Sequence, residues 1–290
     1  MGFTPDPNRR GNDFLTYVDD IRDSLQANNE QDRYYHYLTT TYAQTVVPYD
    51  ELHSLLVSLP FSGIMTTNYD PCFGAAIAAS DQGAFEPHRL LSGGPPTQWD
   101  EWLSSLDHPH SSQRLILHCH GYYSVPESIV LSARDYKQLY GPLLATSGDT
   151  QPGLQLRIAP TEAAQFIRSV LMVKTVLFVG FSMDDPYFQG FLEFVMRALW
   201  RYDPTRARAV LLLSADSGGA SGAARHLGDS YGIHAYLYDP VDSSHSGLLN
   251  LFRSVADRCG TTTLSRPARE PVGSWWKERF TIARLRTEVR

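Results

Sequence analysis

The chain has 290 residues, 42% hydrophobic, 19% charged and 12% aromatic, with a net charge of −6. That aromatic content excludes disorder as the dominant state, and no apolar run approaches the roughly 18 residues of a membrane span. Three scattered cysteines (Cys72, Cys119, Cys259) with no Cys-x-x-Cys pair argue against a zinc module and a disulfide framework, and the Met-Gly-Phe-Thr-Pro-Asp start lacks the apolar run of a secretory signal, so a cytoplasmic, globular, metal-free chain is expected.

Residues 1–12 read as an irregular arm. Phe14, Tyr17, Val18, Ile21 and Leu25 then recur at helical spacing, with Asn12 or Asp13 as N-cap. Further helices are predicted over about 32–45 and 50–59, where Leu52, Leu55 and Leu56 share a face and Pro60 ends the run. The character changes at Gly63–Tyr69, a β-branched run leading into the turn chemistry of Asn68-Tyr69-Asp70-Pro71, followed by a helix to about Ala79. Arg114–His120 is a predicted strand ending at Gly121, Ser128–Ser132 another, and Arg134–Leu144 a helix. After a loop at 151–160, Thr161 caps a helix with Phe166, Ile167, Val170 and Leu171 on its apolar face.

Thr175–Phe181 is apolar at every position but the first, as a parallel strand covered on both faces requires. Ser182-Met183-Asp184-Asp185-Pro186 then opens a helix to about Trp200. The alternation continues with strands at Ala209–Ser214 and His234–Tyr238 and helices at Gly222–Tyr231 and Gly247–Asp257. Buried strands separated by helices predict a Rossmann-like, doubly wound parallel α/β sheet over 61–260, with a helical segment at 1–60 and a tail at 261–290.

Ligands of such sheets bind at the carboxyl ends of strands, which singles out Thr66–Asp70, His118–Gly121 and Gly180–Asp185. Asn68 offers an amide donor and acceptor and Asp70 a carboxylate, a set able to orient a carboxamide or a ribose; both also suit a plain Asx-turn and helix cap. His120 has the near-neutral pKa of a general base, with Gly121 leaving room beside it, and is equally readable as a structural strand-end histidine. By strand alternation His118 and His120 share a face, but no carboxylate or cysteine at ligand spacing completes a metal site. Gly180-Phe181-Ser182 opens a helix N-terminus suited to phosphate or ribose; Asp184 and Asp185 shift that preference toward ribose hydroxyls, or merely cap the helix. No Walker loop or Gly-x-Ser-x-Gly elbow is present.

Together these segments resemble the sirtuin-like family, most closely its bacterial NAD-hydrolysing branch found in phage-defence systems. The resemblance rests on Thr-Thr-Asn-Tyr-Asp at 66–70, His120-Gly121 after a strand, and Leu-Ser-Ala-Arg-Asp-Tyr at 131–136. It continues through Val-Gly-Phe-Ser-Met-Asp-Asp at 179–185, and Tyr231-Gly232-Ile233 before a Tyr-Asp strand end and His245. The resemblance implies Asn68 and His120 as catalytic residues, the first holding the nicotinamide ribose or the attacking water and the second acting as general base. It places Asp70 on the nicotinamide carboxamide, Gly180 and Ser182 on the adenosine side, and Thr67, Gly121 and Asp184 among the NAD-binding positions. NAD is then the substrate, cleaved between nicotinamide and ribose. Protein-deacylating members carry a four-cysteine zinc module after the His-Gly; here no cysteine follows before Cys259, which implies plain NAD hydrolysis without a metal. The strand and Gly-Ala-Gly-x-Ser loop with which the family begins have no counterpart ahead of Phe14. A catalytically degenerate module binding NAD or ADP-ribose, or serving as an assembly subunit, is the alternative. The resemblance also implies a homo-oligomer and a partner such as a HerA-type ATPase of a defence operon.

From Thr261 to Arg290 seven basic residues face three acids, so the tail carries +4 and the preceding chain −10. An acidic body argues against broad nucleic-acid binding. The tail's Trp275, Trp276 and Phe280, with Ile282, Leu285 and Val289, suit packing on its own domain, contact with a neighbouring subunit or partner protein, or contact with nucleic acid or a membrane surface.

Overall fold

The computed structural model describes residues 14–42, 49–80, 87–107, 115–141, 161–181, 185–199, 209–215, 220–242 and 245–260. The expected arm, its Asn12 or Asp13 cap, residues 43–45 and 142–144 of two predicted helices, Arg114, the loop at 151–160, Ser182, Asp184, Trp200 and the basic tail lie outside the described residues. The described chain is a mixed α/β structure in two compact units, the first holding the described residues up to Gly141 together with 256–260, the second those from Thr161 to Val255.

The first unit begins with three helices, α1 (Phe14–Ala27), α2 (Gln31–Tyr42) and α3 (Glu51–Ser58). Asp50 caps α3 by accepting the His53 N–H at 3.0 Å. Strand β1 (Ile64–Thr66), helix α4 (Cys72–Ser80), strand β2 (His88–Leu90), helix α5 (Pro96–Ser105) and strand β3 (Ile116–His118) follow. The sheet order is β1-β3-β2, all parallel, with Thr66 and Leu90 both registered opposite His118. The three strands therefore end level with one another. Ile116 and Leu117 of the central strand are fully buried. Val57, Ala76, Ile77 and Ile116 form one cluster, which packs α3 and α4 against the sheet.

β2 and α5 are elements that the sequence reading leaves unassigned. Pro96 sits in the first turn of α5. Its Trp102 donates the indole N–H to the Ile64 carbonyl at 3.2 Å, and Trp99 does the same to Leu90 at 3.0 Å. The expected strand at Ser128–Ser132 is instead a 3-10 turn (Pro126–Ser128) and an extended lead into helix α6 (Ala133–Tyr140). Local chemistry explains the difference. Pro126 starts the turn, and Ser132 and Asp135 form a reciprocal capping box that commits the segment to a helix start. Ile129 is buried with Val18, Tyr34 and Leu38, so α1 and α2 lie on this segment and belong to the same unit as the sheet. Charge adds to that seam: Arg22 pairs with Asp135, and Arg134 makes a two-pronged contact with Asp23 at 2.9 and 3.0 Å.

The second unit repeats the alternation. Helix α7 (Glu162–Val173), capped by Thr161, precedes strand β4 (Val176–Phe178), helix α8 (Pro186–Leu199), strand β5 (Ala209–Ser214), helix α9 (Ala220–Tyr231), strand β6 (Ile233–Tyr238) and helix α10 (Ser246–Arg258), whose residues from Ala256 on belong to the first unit. The strands are parallel in the order β4-β5-β6. A Rossmann-like α/β fold with N-terminal helices is what the alternation predicts. No helix among the described residues is long and apolar enough to cross a membrane.

Leu117 is fully buried at the centre of the first sheet, so Leu117→Ala is expected to destabilise the protein by about 2–5 kcal/mol, read as a lowered urea midpoint.

Candidate functional site

The Thr66–Asp70 segment leaves β1 and the Cys119–Gly121 segment leaves β3, the neighbouring strand. Backbone bonds hold the two together past the strand ends: Cys119 N–H donates to Thr66 O at 2.8 Å and Tyr123 N–H to Tyr69 O at 2.9 Å. Asn68 and His120 are thereby carried on adjacent carboxyl-edge loops. No hydrogen bond joins their side chains.

Both backbone polar groups of Asn68 are fixed. Its N–H donates to Thr66 Oγ1 at 3.1 Å, and its carbonyl accepts from His118 Nδ1 at 3.0 Å. The side chains of Thr67 and Asn68 are half-buried, and among the described residues neither makes a hydrogen bond. Asp70 accepts the Cys72 N–H at 3.0 Å, the helix-capping role open to it from sequence. The Asn68 amide therefore retains its donor and acceptor capacity at the sheet's carboxyl edge.

His120 is almost wholly buried. Its ring meets Tyr136 and Tyr140 of α6 edge-on, with centroids 5.0 and 5.9 Å away, and the Tyr136 hydroxyl stands 3.5 Å from Nδ1. The backbone here is tightly specified: Val130 N–H donates to His120 O at 2.8 Å, and Gly121 takes φ +94°. A Cβ on Gly121 would collide with the Ser128 carbonyl. The space that glycine leaves on that side holds backbone, and the φ demands glycine in its own right.

His118 does not share neighbours with His120. β3 ends at His118 and a turn follows, so the alternation that would aim both rings one way stops there. His118 Nε2 lies 2.8 Å from His88 Nδ1, and His88 Nε2 lies 2.9 Å from the Tyr122 hydroxyl. His88 also stacks on the Tyr122 ring, with centroids 4.2 Å apart. His88, Tyr122, Tyr136 and Tyr140 are site residues that sequence reasoning missed. Only Tyr136 lay inside a motif, the Leu-Ser-Ala-Arg-Asp-Tyr run.

Gly180, in the second unit, takes φ +65°, which favours glycine after β4. Asp185 accepts the N–H groups of Tyr187 and Phe188 at 2.9 and 3.1 Å, so it caps α8. Among the described residues no group of three His, Cys, Asp or Glu side chains could hold a metal ion.

Burial decides the charge of the row. Desolvation, with help from neighbouring His118 and Arg89, pushes His88 down to about 3; desolvation pushes His118 down to about 4 against the opposing pull of the Asn68 carbonyl and Asp70. Both rings are neutral at pH 7. Below the ordinary imidazole value of about 6.5 the unfolded chain takes up protons that the folded rings refuse. Stability is therefore lost as pH falls from about 6.5 toward 4 for His118 and toward 3 for His88, by up to about 1.4 kcal/mol per pH unit for each ring. His88→Leu removes one such group. Its stability cost relative to the native chain is expected to shrink between pH 7 and pH 5, measured by urea unfolding at both values.

A family model described as a SIR2-like domain matches residues 62–236, more than half of the chain. That span takes in the Thr66–Asp70 and Cys119–Gly121 loops, all of β1 to β5, and Gly180. No curated protein matches the chain. On the family match, the chain belongs to the SIR2-like domain family, to which an NAD-related function attaches.

Proposed function

We propose that this chain is an NAD glycohydrolase that cleaves the bond between nicotinamide and ribose to give nicotinamide and ADP-ribose. The observation that carries this reading is the placement of Asn68 and His120 on adjacent strand-end loops of a SIR2-like domain, with the Asn68 amide uncommitted to protein partners among the described residues. In the reaction the C1′–N bond breaks and its electron pair leaves with the nicotinamide nitrogen, which becomes neutral. The leaving group needs no acid. Positive charge develops on the ribose, a water oxygen bonds to C1′, and the water's proton must go to a base. His120 is the base and Asn68 orients the water or the ribose hydroxyls.

The aromatic surroundings of His120 suit this role. Tyr136 and Tyr140 present ring edges to the imidazole and limit its rotation. Asp70 lies near enough to His118 to favour its charged form electrostatically, and a carboxylate in that neighbourhood tolerates an oxocarbenium-like ribose. Thr67, Asp70 and Gly121 are the further NAD-contacting positions of this reading, beside Asn68 in the first unit. The cellular role that fits is an NAD-depleting antiphage effector, switched on by self-assembly or by a partner such as a HerA-type ATPase.

Purified protein incubated with NAD is expected to release nicotinamide, detected chromatographically, with Asn68→Ala and His120→Ala each lowering the rate by at least about 100-fold. Calorimetry with NAD and ADP-ribose runs beside it. Binding without cleavage, alone and with candidate partners, would replace hydrolysis by the binding-module alternative; neither binding nor cleavage would remove the NAD reading.

A further inference from the structure

The row of side chains behind Asn68 has no part in the chemistry above, and its hydrogen atoms can be assigned. A carbonyl only accepts, so His118 Nδ1, 3.0 Å from Asn68 O, carries the hydrogen. The other nitrogen of that neutral ring then accepts, so His88 Nδ1 donates to His118 Nε2 across 2.8 Å. His88 Nε2 in turn accepts the Tyr122 hydroxyl hydrogen across 2.9 Å. The row has one direction, Tyr122 to His88 to His118 to the carbonyl of residue 68. Strand register supports it: Leu90 and Thr66 both face His118 from opposite sides, which brings the β2 and β1 ends to the same level on β3.

Filling that volume does not require imidazoles; leucine would bury more apolar surface with no polar atom to satisfy. What the two rings supply is a donor at a fixed point beneath one peptide carbonyl, on the residue whose amide is left uncommitted. The fold also makes room for the row. A Cβ on Gly74 of α4 would lie within the van der Waals shell of the His88 ring. Nor does the row end in a group able to release or store a proton: its last member is a backbone carbonyl, which rules out a relay.

We infer that His118, braced by His88 and Tyr122, is a positioning residue that sets the backbone of Asn68 and so the orientation of the Asn68 amide toward substrate. This rests on the reading of Asn68 as a catalytic residue. His118 touches no substrate; it acts through residue 68. Loss of its Nδ1–H donor frees the Asn68 peptide to turn while Cys119–Thr66 and Tyr123–Tyr69 still hold the loop ends. The consequence is selective: turnover falls more than substrate affinity, because a small misplacement of an orienting group costs most in the transition state.

Three variants of the full-length chain test this. His118→Leu removes the donor, His118→Asn keeps an amide N–H near the Nδ1 position, and His88→Leu removes the brace one bond back. In nicotinamide release from NAD, His118→Leu is expected to lower kcat about 100-fold with KM within about threefold of the native value. His118→Asn should recover to within about fivefold of native kcat, and His88→Leu should lose about tenfold. Hydrogen–deuterium exchange is the second readout: residues 67–70 should exchange faster in His118→Leu and return toward native rates in His118→Asn, with β1 and α3 unchanged. A folded His118→Leu with native exchange at 67–70 and kcat within about threefold of native would overturn the inference. If His118→Leu does not fold, His118→Asn and His88→Leu decide by the same two readouts. If the native chain does not cleave NAD, the hydrolase reading fails by itself, and the exchange rates alone judge whether His118 sets residue 68.

Discussion

Two imidazoles buried side by side admit very few arrangements. Desolvation keeps both neutral. A neutral ring has one donor and one acceptor, so each needs two partners with the right polarity and in the right order. The Asn68 carbonyl at one end and the Tyr122 hydroxyl at the other satisfy that order. The constraint then propagates. β2 must end level with β1, Gly74 must lack a Cβ, and the peptide of residue 68 must present its oxygen to β3. The strands of this sheet are only three residues long, too short for ladder bonds alone to fix their ends, so side-chain bonds across the edge carry much of the register.

Around this row the two candidate catalytic residues are held in different ways. Asn68 is fixed by its backbone and left open at its side chain, whereas His120 is held by ring contacts from α6. α6 is in turn tied at its first turn. The Asp135 carboxylate accepts the Ser132 N–H at 3.0 Å and pairs with Arg22 of α1, while the backbone N–H of Arg134 donates to Asp19 at 3.1 Å. The N-terminal helices thus act on the sheet edge through the helix that carries the His120 cage. Their apolar side reaches the other loop as well: Tyr42 packs edge-on against Tyr69, whose hydroxyl donates to Val130 O at 2.8 Å.

Legibility from sequence followed length and period. α1, α7 and β5 show long, clean patterns, and their bounds come close to the ends read from apolar spacing. The Thr66–Asp70 and His120-Gly121 loops were visible because polar residues and glycine follow an apolar run. β2 was not: three residues, His-Arg-Leu, show no alternation, and the strand exists because β3 offers it a partner. With β2 unread, His88 had no place in the site. α5 did carry a signal, since Trp99, Trp102 and Leu106 recur at helical spacing behind Pro96. Ser128–Ser132 reads as a strand because Ile129, Val130 and Leu131 look like a buried run; Ile129 and Leu131 pack instead with residues of α1 and α2. The His118 and His120 pairing failed for a related reason, since period-two alternation holds only while the strand continues.

The neutrality of the buried row also bears on the proposed reaction. In that reaction, loss of nicotinamide would leave positive charge on the ribose, and a cation beneath Asn68 would oppose it. A lysine or arginine at position 118 could donate to the same carbonyl, but it would place a permanent charge there. An imidazole under heavy desolvation offers the N–H without the charge, and the bond from His88 keeps the second nitrogen occupied without adding one. Histidine is the side chain that meets both conditions in a rigid, strand-sized ring, with a donor on one side and an acceptor on the other. On that argument the row, besides setting the register of the strand ends, holds one carbonyl without electrostatic consequence for the site above it.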